Sequence, residues 1–220
     1  MSTTLKPFGM KPVYHPSGLD RATPFAGTNS YVVGTPNYSA PYLLDSGAAF
    51  YQYQPVAIDP ATGKLGIAST QTNRVFGVFD GVEFTDSQGR RSVAKWASKA
   101  TLDASTQIVF WLFTDPQLVY EIQATGSIAA TAIGAEYNFS ATSGYTPSSG
   151  TSIGNGGAGF STCALNPSGV AAGAQGQVKV VGLGREVAFP TGELNAWGDT
   201  YTIVQVQIAN SQLVAPSVAA

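Results

Sequence analysis

The sequence predicts an all-β fold, an antiparallel sandwich or small barrel that carries an extended N-terminal arm and a long Gly/Ser-rich loop. Three observations predict it. Runs of Val, Ile, Phe, Tyr and Trp fit a pleated surface better than a helix, and Asp, Gly, Ser and Pro close them at short intervals. Prolines punctuate the first 26 residues at Pro7, Pro12, Pro16 and Pro24, which forbids helix there. Residues 140–159 are rich in Gly, Ser and Thr and end in Gly154-Asn-Gly-Gly-Ala-Gly159, a loop composition.

The strands follow in order along the chain. Residues 2–26 read as a polyproline-like arm with the aromatic anchors Phe8, Tyr14 and Phe25, lying along its own domain or along a neighbouring subunit. Between Thr28 and Tyr53 the chain is Tyr-rich, with short strands expected at Ser30–Val33 and Ala49–Tyr53. That row of tyrosines suits an interface or a sugar-binding face, and equally suits ordinary half-buried strand positions. Pro55–Asp59 and Lys64–Ala68 flank Pro60-Ala-Thr-Gly63 and predict a hairpin. Arg74–Gln123 is the expected nucleus, a meander of about four strands. It opens with Arg74–Thr85, buried on both faces at first and on one face later, and turns at Asp86-Ser-Gln-Gly-Arg90. It continues through Arg91–Trp96, a fully buried central strand at Ile108–Phe113, a turn at Asp115-Pro116, and Gln117–Gln123. Gly126–Gly134 predicts one or two helical turns, with Ser127 as cap and Gly134 as stop. Later strands are expected at Phe160–Leu165, at Gly176–Leu183 and at Tyr201–Ile208, the last as an edge or closing strand by its alternation. The domain reading is an arm over residues 1–27 and one β-rich domain over 28–220, with a sub-boundary allowed within 135–159.

Composition narrows the function classes. Of 220 residues only 11% are charged, the formal net charge is -2, and Lys and Arg form no basic stripe, so nucleic-acid binding through phosphates is not expected. The single Cys163 cannot close an internal disulfide and reads as a buried small apolar residue in a chain assembled in a reducing compartment. One Cys and one His cannot build a zinc site, and no Asp-rich calcium loop occurs. Met1-Ser-Thr-Thr-Leu lacks the pattern of a signal peptide, and no apolar run reaches the roughly 20 residues of a membrane span, so the expectation is a soluble, non-exported chain.

Catalytic readings of the sequence are weak. Asp45-Ser-Gly47 matches the loop of aspartic proteases, but one copy would need a second chain to complete the carboxylate pair, and a turn at a strand end explains it. The sole histidine, His15, has no nucleophile elbow to serve and reads as a contact residue. Gly154–Gly159 lacks the Lys and the strand-to-helix frame of a phosphate loop. Asn138-Phe-Ser140 is a formal glycosylation acceptor without a secretion route. Asp80, Glu83 and Asp86 lie close along the chain, with Glu83 and Asp86 expected to face water beside a hairpin turn. The expectation is therefore a binding or structural protein, not an enzyme, with no catalytic residue, cofactor or metal.

Four segments carry a resemblance to a known family. They are Lys11-Pro-Val-Tyr-His-Pro-Ser-Gly18; Gly77-Val-Phe-Asp-Gly-Val-Glu-Phe-Thr-Asp86 with Gly89-Arg-Arg91; Asp115-Pro-Gln-Leu-Val-Tyr-Glu-Ile-Gln123; and Asn195-Ala-Trp-Gly-Asp-Thr-Tyr-Thr-Ile-Val-Gln-Val206. Together with the strand at Pro55–Asp59, their order resembles head proteins of tailed bacteriophages, in particular capsid decoration or cement proteins. The resemblance touches most of the chain and misses about 135–159. It implies a β-rich homotrimer on the outer surface of an icosahedral head, made in the host bacterial cytoplasm, that bridges major capsid proteins and stabilises the expanded shell. No nucleic acid or membrane is implied as a partner. Phe8, Tyr14, His15, Tyr31, Tyr38 and Trp197 are the expected contacts with the shell or a sister subunit. The rival readings are another virion part, a head fibre base or tail protein, and a carbohydrate-binding module using Tyr31–Tyr53.

Overall fold

The structure, a computed structural model, describes residues 3–15, 23–26, 42–43, 49–58, 65–68, 74–142, 144–151, 159–171, 173–185, 187–188 and 193–214. The strand expected at Ser30–Val33, Tyr31, Tyr38, Asp45-Ser-Gly47, the turn at Pro60–Gly63 and most of Gly154–Gly159 lie outside them. In chain order the strands are β1 (Lys11–Tyr14), β2 (Thr23–Ala26), β3 (Tyr42–Leu43), β4 (Ala49–Tyr51), β5 (Gln54–Ile58), β6 (Leu65–Ile67), β7 (Gly77–Thr85), β8 (Arg91–Ala94) and β9 (Trp96–Ser98). A short helix α1 (Lys99–Asp103) follows, then β10 (Thr106–Phe113), β11 (Val119–Gln123), β12 (Glu136–Phe139), β13 (Leu165–Gly169), β14 (Val178–Leu183), β15 (Val187–Ala188), β16 (Glu193–Leu194) and β17 (Ile203–Ile208).

The all-β class holds, and the arrangement is a sandwich. One sheet runs β1-β11-β17-β14-β12-β13, antiparallel throughout. The other runs β2-β10-β7-β5-β6-β3, with β8 beside the second half of β7 and a parallel pair at β3 and β6. Between them lies the main core, where Ala57, Val75, Val78 and Phe113 of the second layer meet Tyr120, Ile122, Val180, Val204 and Val206 of the first. A second core covers the far face of the second sheet, where Phe50, Phe79, Phe110, Leu112 and Leu102 pack under the β4–β9 ribbon and α1. Phe50 sits 5.4 Å from Phe79 and 5.1 Å from Phe110, ring centroid to centroid, tilted contacts of the kind worth roughly 0.5–1.5 kcal/mol each beyond burial.

Strand β7 explains how one sheet serves two cores. Leu112 pairs with Phe79 and Trp111 with Gly81, so Asp80 is an extra residue, a bulge. Before it Val78 points into the main core and Phe79 into the second, and after it Val82 and Phe84 fall on the same side as Phe79. The burial of β7 agrees with the sequence expectation of two covered faces, then one.

Strands β5 and β6, expected on either side of residues 60–63, pair antiparallel. The expected meander, by contrast, is split at Asp115-Pro116: β10 stays in the second sheet while β11 crosses to the first and pairs with β1 and β17. Strand β10 is central, but Val109 and Trp111 are only half buried, so it is not buried on both faces. Strand β17 corrects the expectation of an edge, since it lies between β11 and β14; its Gln205 looks exposed by alternation yet is buried against Glu121. The helical turns expected over Gly126–Gly134 reduce to one 3-10 turn at Ala130–Ala132, preceded by Ala129, which provides no side-chain cap. Ser127 does not cap it, while Gly134 follows in the left-handed region at φ 86°. Helix α1 was not expected. Ser98 starts it by accepting from Thr101 N at 3.1 Å.

The segment expected to be an arm supplies β1 to an edge of one sheet and β2 to an edge of the other. Edge strands β1, β2 and β13 each hold a proline, Pro12, Pro24 and Pro167, which has no N–H to offer an incoming strand. The described part of the Gly/Ser-rich loop is fastened rather than loose: Pro147 O accepts from Gln54 Nε2 at 2.6 Å, and Thr162 N and Ala164 N bond back to Ser149 O and Tyr145 O.

Candidate functional site

Two surface regions gather the residues with binding chemistry. The first is the N-terminal segment. Its backbone is gripped by the amide of Gln123, whose Oε1 accepts from Lys6 N at 2.8 Å and whose Nε2 donates to Thr4 O at 2.9 Å. Met10 N then donates to Tyr53 O at 2.8 Å, beside Gly9, where φ is 77° and a side chain would collide with the Tyr53 carbonyl. At the end of β1 the buried His15 hydrogen-bonds through Nε2 to Asp115 Oδ2 at 2.9 Å, while Asp115 Oδ1 accepts from Gln117 N. The described part of this segment therefore lies along its own domain. Phe8 is half buried, His15 is inside, and Tyr14 stands out at 47% exposure on the edge strand. A ring presented this way is pre-organised for contact, since the backbone beneath it is already fixed.

Trp197 is in a separate place. It packs against the main core and remains partly exposed in a turn closed by Ala196 N to Asp199 Oδ2 at 2.9 Å, with Gly198 at φ 82° donating to Ile128 O. Tyr14 ends β1 with His15 next to it, and Trp197 stands on a different loop. Tyr31 and Tyr38 lie outside the described residues.

The second region was only half visible in the sequence. Pairing of β4 with β9 sets Tyr51 opposite Trp96, with centroids 6.4 Å apart, and Tyr53 stacks on Phe160 at 5.8 Å and 10°. Gln52 and Lys95, chain neighbours of these rings, form a polar strip with Asp80. Gln52 Nε2 donates to Asp80 Oδ1 at 3.0 Å, and Lys95 Nζ donates to Asp80 Oδ2 at 2.7 Å. Asp80 is the bulge residue of β7, and the bulge is what turns it toward this strip. Tyr53 holds φ 65°, a rare backbone state for a bulky side chain, secured by its N–H on Phe79 O and its carbonyl under Met10 N. Burial raises the Tyr53 phenol above its ordinary range, and the Asp80 carboxylate adds to this while Lys11 opposes it. Trp96 Nε1 is buried without a hydrogen-bond partner. Tyr51 and Tyr53 belong to the Tyr-rich stretch, but Trp96, Asp80 and Phe160 come from distant strands, and only the fold assembles them.

The other chemical candidates have structural neighbours. Cys163 is fully buried and its thiol is pushed well up by desolvation, which makes it a poor nucleophile. Glu83 and Asp86 are engaged by Arg91 at 2.6 Å and Arg90 at 3.0 Å. Asn138 Oδ1 accepts from Gln177 N. Among the described residues no three His, Cys, Asp or Glu side chains group as a metal site would, and no helix is long and apolar enough to cross a membrane. Compared with family models, curated proteins and solved structures, the chain matches none.

Proposed function

We propose that this chain is a structural component of a tailed-bacteriophage head, a homotrimer that binds the outer surface of the icosahedral shell and bridges major capsid proteins. The observation that carries the reading is the rigidly held aromatic edge, Tyr14 exposed on β1 above the His15–Asp115 hydrogen bond and behind the Gln123 clamp. Anchors of this kind carry much of the energy of protein interfaces, because an aromatic ring buries a large area at small entropic cost. The four resembling segments add support, as β1 and the β10–β11 turn come from two of them. In this role the protein has no catalytic task and no cofactor. It acts by linkage: a ligand of the assembled shell that does not bind its separated subunits stabilises the shell in proportion to occupancy.

Cryo-electron microscopy of the particle from which the chain derives tests the placement, and density on the outer shell is expected. Density in the tail or at a fibre base overturns the proposal. In binding of the purified protein to shells that lack it, Tyr14→Ala is expected to weaken affinity at least tenfold, about 1.4 kcal/mol, with the melting temperature unchanged. Unaltered binding would remove Tyr14 from the interface.

A further inference from the structure

We infer that the face formed by Tyr51, Gln52, Tyr53, Asp80, Lys95, Trp96 and Phe160 is a binding site for a neutral carbohydrate. The inference is independent of the capsid reading, which rests on the opposite use of the N-terminal edge. Three features converge on it. Phe160, 36% exposed, is stacked on Tyr53 and offers an apolar ring at the surface, the element on which the C–H face of a sugar ring packs. Next to it, Gln52, Asp80 and Lys95 form a planar amide, a carboxylate and an ammonium in one connected strip, a mixture of donors and acceptors that suits vicinal hydroxyl groups. Finally, the strained Tyr53 backbone is held by hydrogen bonds on both sides, and such outliers collect at binding sites.

Charge selects among ligands. Lys95 and Asp80 neutralise each other at 2.7 Å, so this pair itself offers no net charge to phosphate, sulfate or an acidic peptide, and Lys11 acts on the face only from the Tyr53 side. What remains is hydrogen-bonding capacity beside aromatic surface, and a neutral polyhydroxylated ring matches both. The carboxylate would accept from sugar hydroxyls, Gln52 and Lys95 would orient it, and Phe160 would supply the apolar floor.

The test is titration of the intact protein with maltotriose, cellotriose and chitotriose, followed by tryptophan fluorescence and by amide chemical shifts. Saturable binding of at least one trisaccharide is expected, with shifts centred on Gln52, Asp80, Trp96 and Phe160. Phe160→Ala, a surface truncation, and Asp80→Asn are each expected to weaken it at least tenfold, while Tyr14→Ala leaves it unchanged. Phe160→Ala keeps the test decisive even where Asp80→Asn disturbs the bulge. Absence of saturation with all three sugars overturns the inference, as does binding that survives both substitutions or that appears only with a sulfated oligosaccharide.

Discussion

Two regions of this molecule solve the same problem in opposite ways. Between Asp80 and Asp103 the chain uses charge: Lys95 with Asp80, Arg91 with Glu83, Arg90 with Asp86 and Lys99 with Asp103, every pair with at least one partner well exposed. Elsewhere it uses neutral amides placed inside. Asn195 accepts from Ile203 N at 3.0 Å and donates to Ile203 O at 2.7 Å and Gly184 O at 2.9 Å. Gln212 holds both the N–H and the carbonyl of Ile58 at 2.7 Å, and Gln54, Gln123 and Gln177 make similar bonds to backbone. An amide matches a peptide group donor for acceptor, so it can stand in for a missing strand neighbour without carrying a charge into the core. Exposed ion pairs contribute little, roughly 0.2–1 kcal/mol each, whereas a buried donor or acceptor left unpaired costs roughly 1–3 kcal/mol. The low charge content of the chain thus reflects where its polar bonds are made.

The sharpest way to break this contrast is Asn195→Asp. The substitution preserves size, removes both donors, and sets a carboxylate against the carbonyls of Gly184 and Ile203 in a buried site. An uncompensated charge there is expected to cost about 3–5 kcal/mol. For a chain of this length that lowers the melting temperature by roughly 10 °C, measured by calorimetry at neutral pH. A change within error would mean that the amide is dispensable and that side-chain stitching does not hold the β17 end of the first sheet.

Gln123→Ala probes the same device where it secures a terminus. The loss of two hydrogen bonds is expected to cost roughly 1–2 kcal/mol. The effect is local: amide exchange should accelerate at Lys6, whose N–H the Gln123 side chain receives, while β17 and β14 remain protected. Slow exchange at Lys6 in the variant would show that β1 pairing alone secures the segment.

These amides also mark where sequence reading reached its limit. The strands were legible because Val, Ile and aromatic runs between turn residues have a local signature, and β5, β6, β7, β10 and β14 fall where that signature places them. Sheet membership was not, since it depends on pairs such as Tyr120 with Val206, far apart in the chain. Alternation misplaced β17 because Gln205 and Gln207 look like solvent residues, and nothing local reveals that Glu121 and the carbonyl of Gln117 receive them. Helix α1 had a cap at Ser98 and an ion pair from Lys99 to Asp103, yet five residues carry too little periodicity to stand out. At the candidate sites Tyr14 and His15 were visible as aromatics in a proline-rich segment, but the Asp115 partner is 100 positions away. Trp96 and Phe160 meet the Tyr-rich stretch only through β4–β9 pairing and the bridge from Gln52 to Phe160.

The smallest effect belongs to the charged hairpin and gives the contrast its pH signature. Asp86 accepts from Arg90 N at 2.9 Å, from Gln88 N at 2.9 Å and from Arg90 Nε at 3.0 Å, and these bonds, the first above all, hold its carboxyl below the ordinary carboxylate range. A depressed folded-state value means that the native chain releases this proton more readily than the unfolded one. Its contribution to stability is therefore present above the unfolded carboxylate value and fades as pH falls through the folded one. Asp86→Asn should remove that part of the acid dependence, with denaturation midpoints of the two proteins converging as pH drops below the carboxylate range. Because Asp86 is only half buried and its partner Arg90 is exposed, the difference at neutral pH should be slight and should shrink further in high salt, while the Asn195→Asp defect persists under both conditions. A hairpin variant as damaging as the Asn195 one would invert the ranking and place the stability of this sandwich in its surface charges.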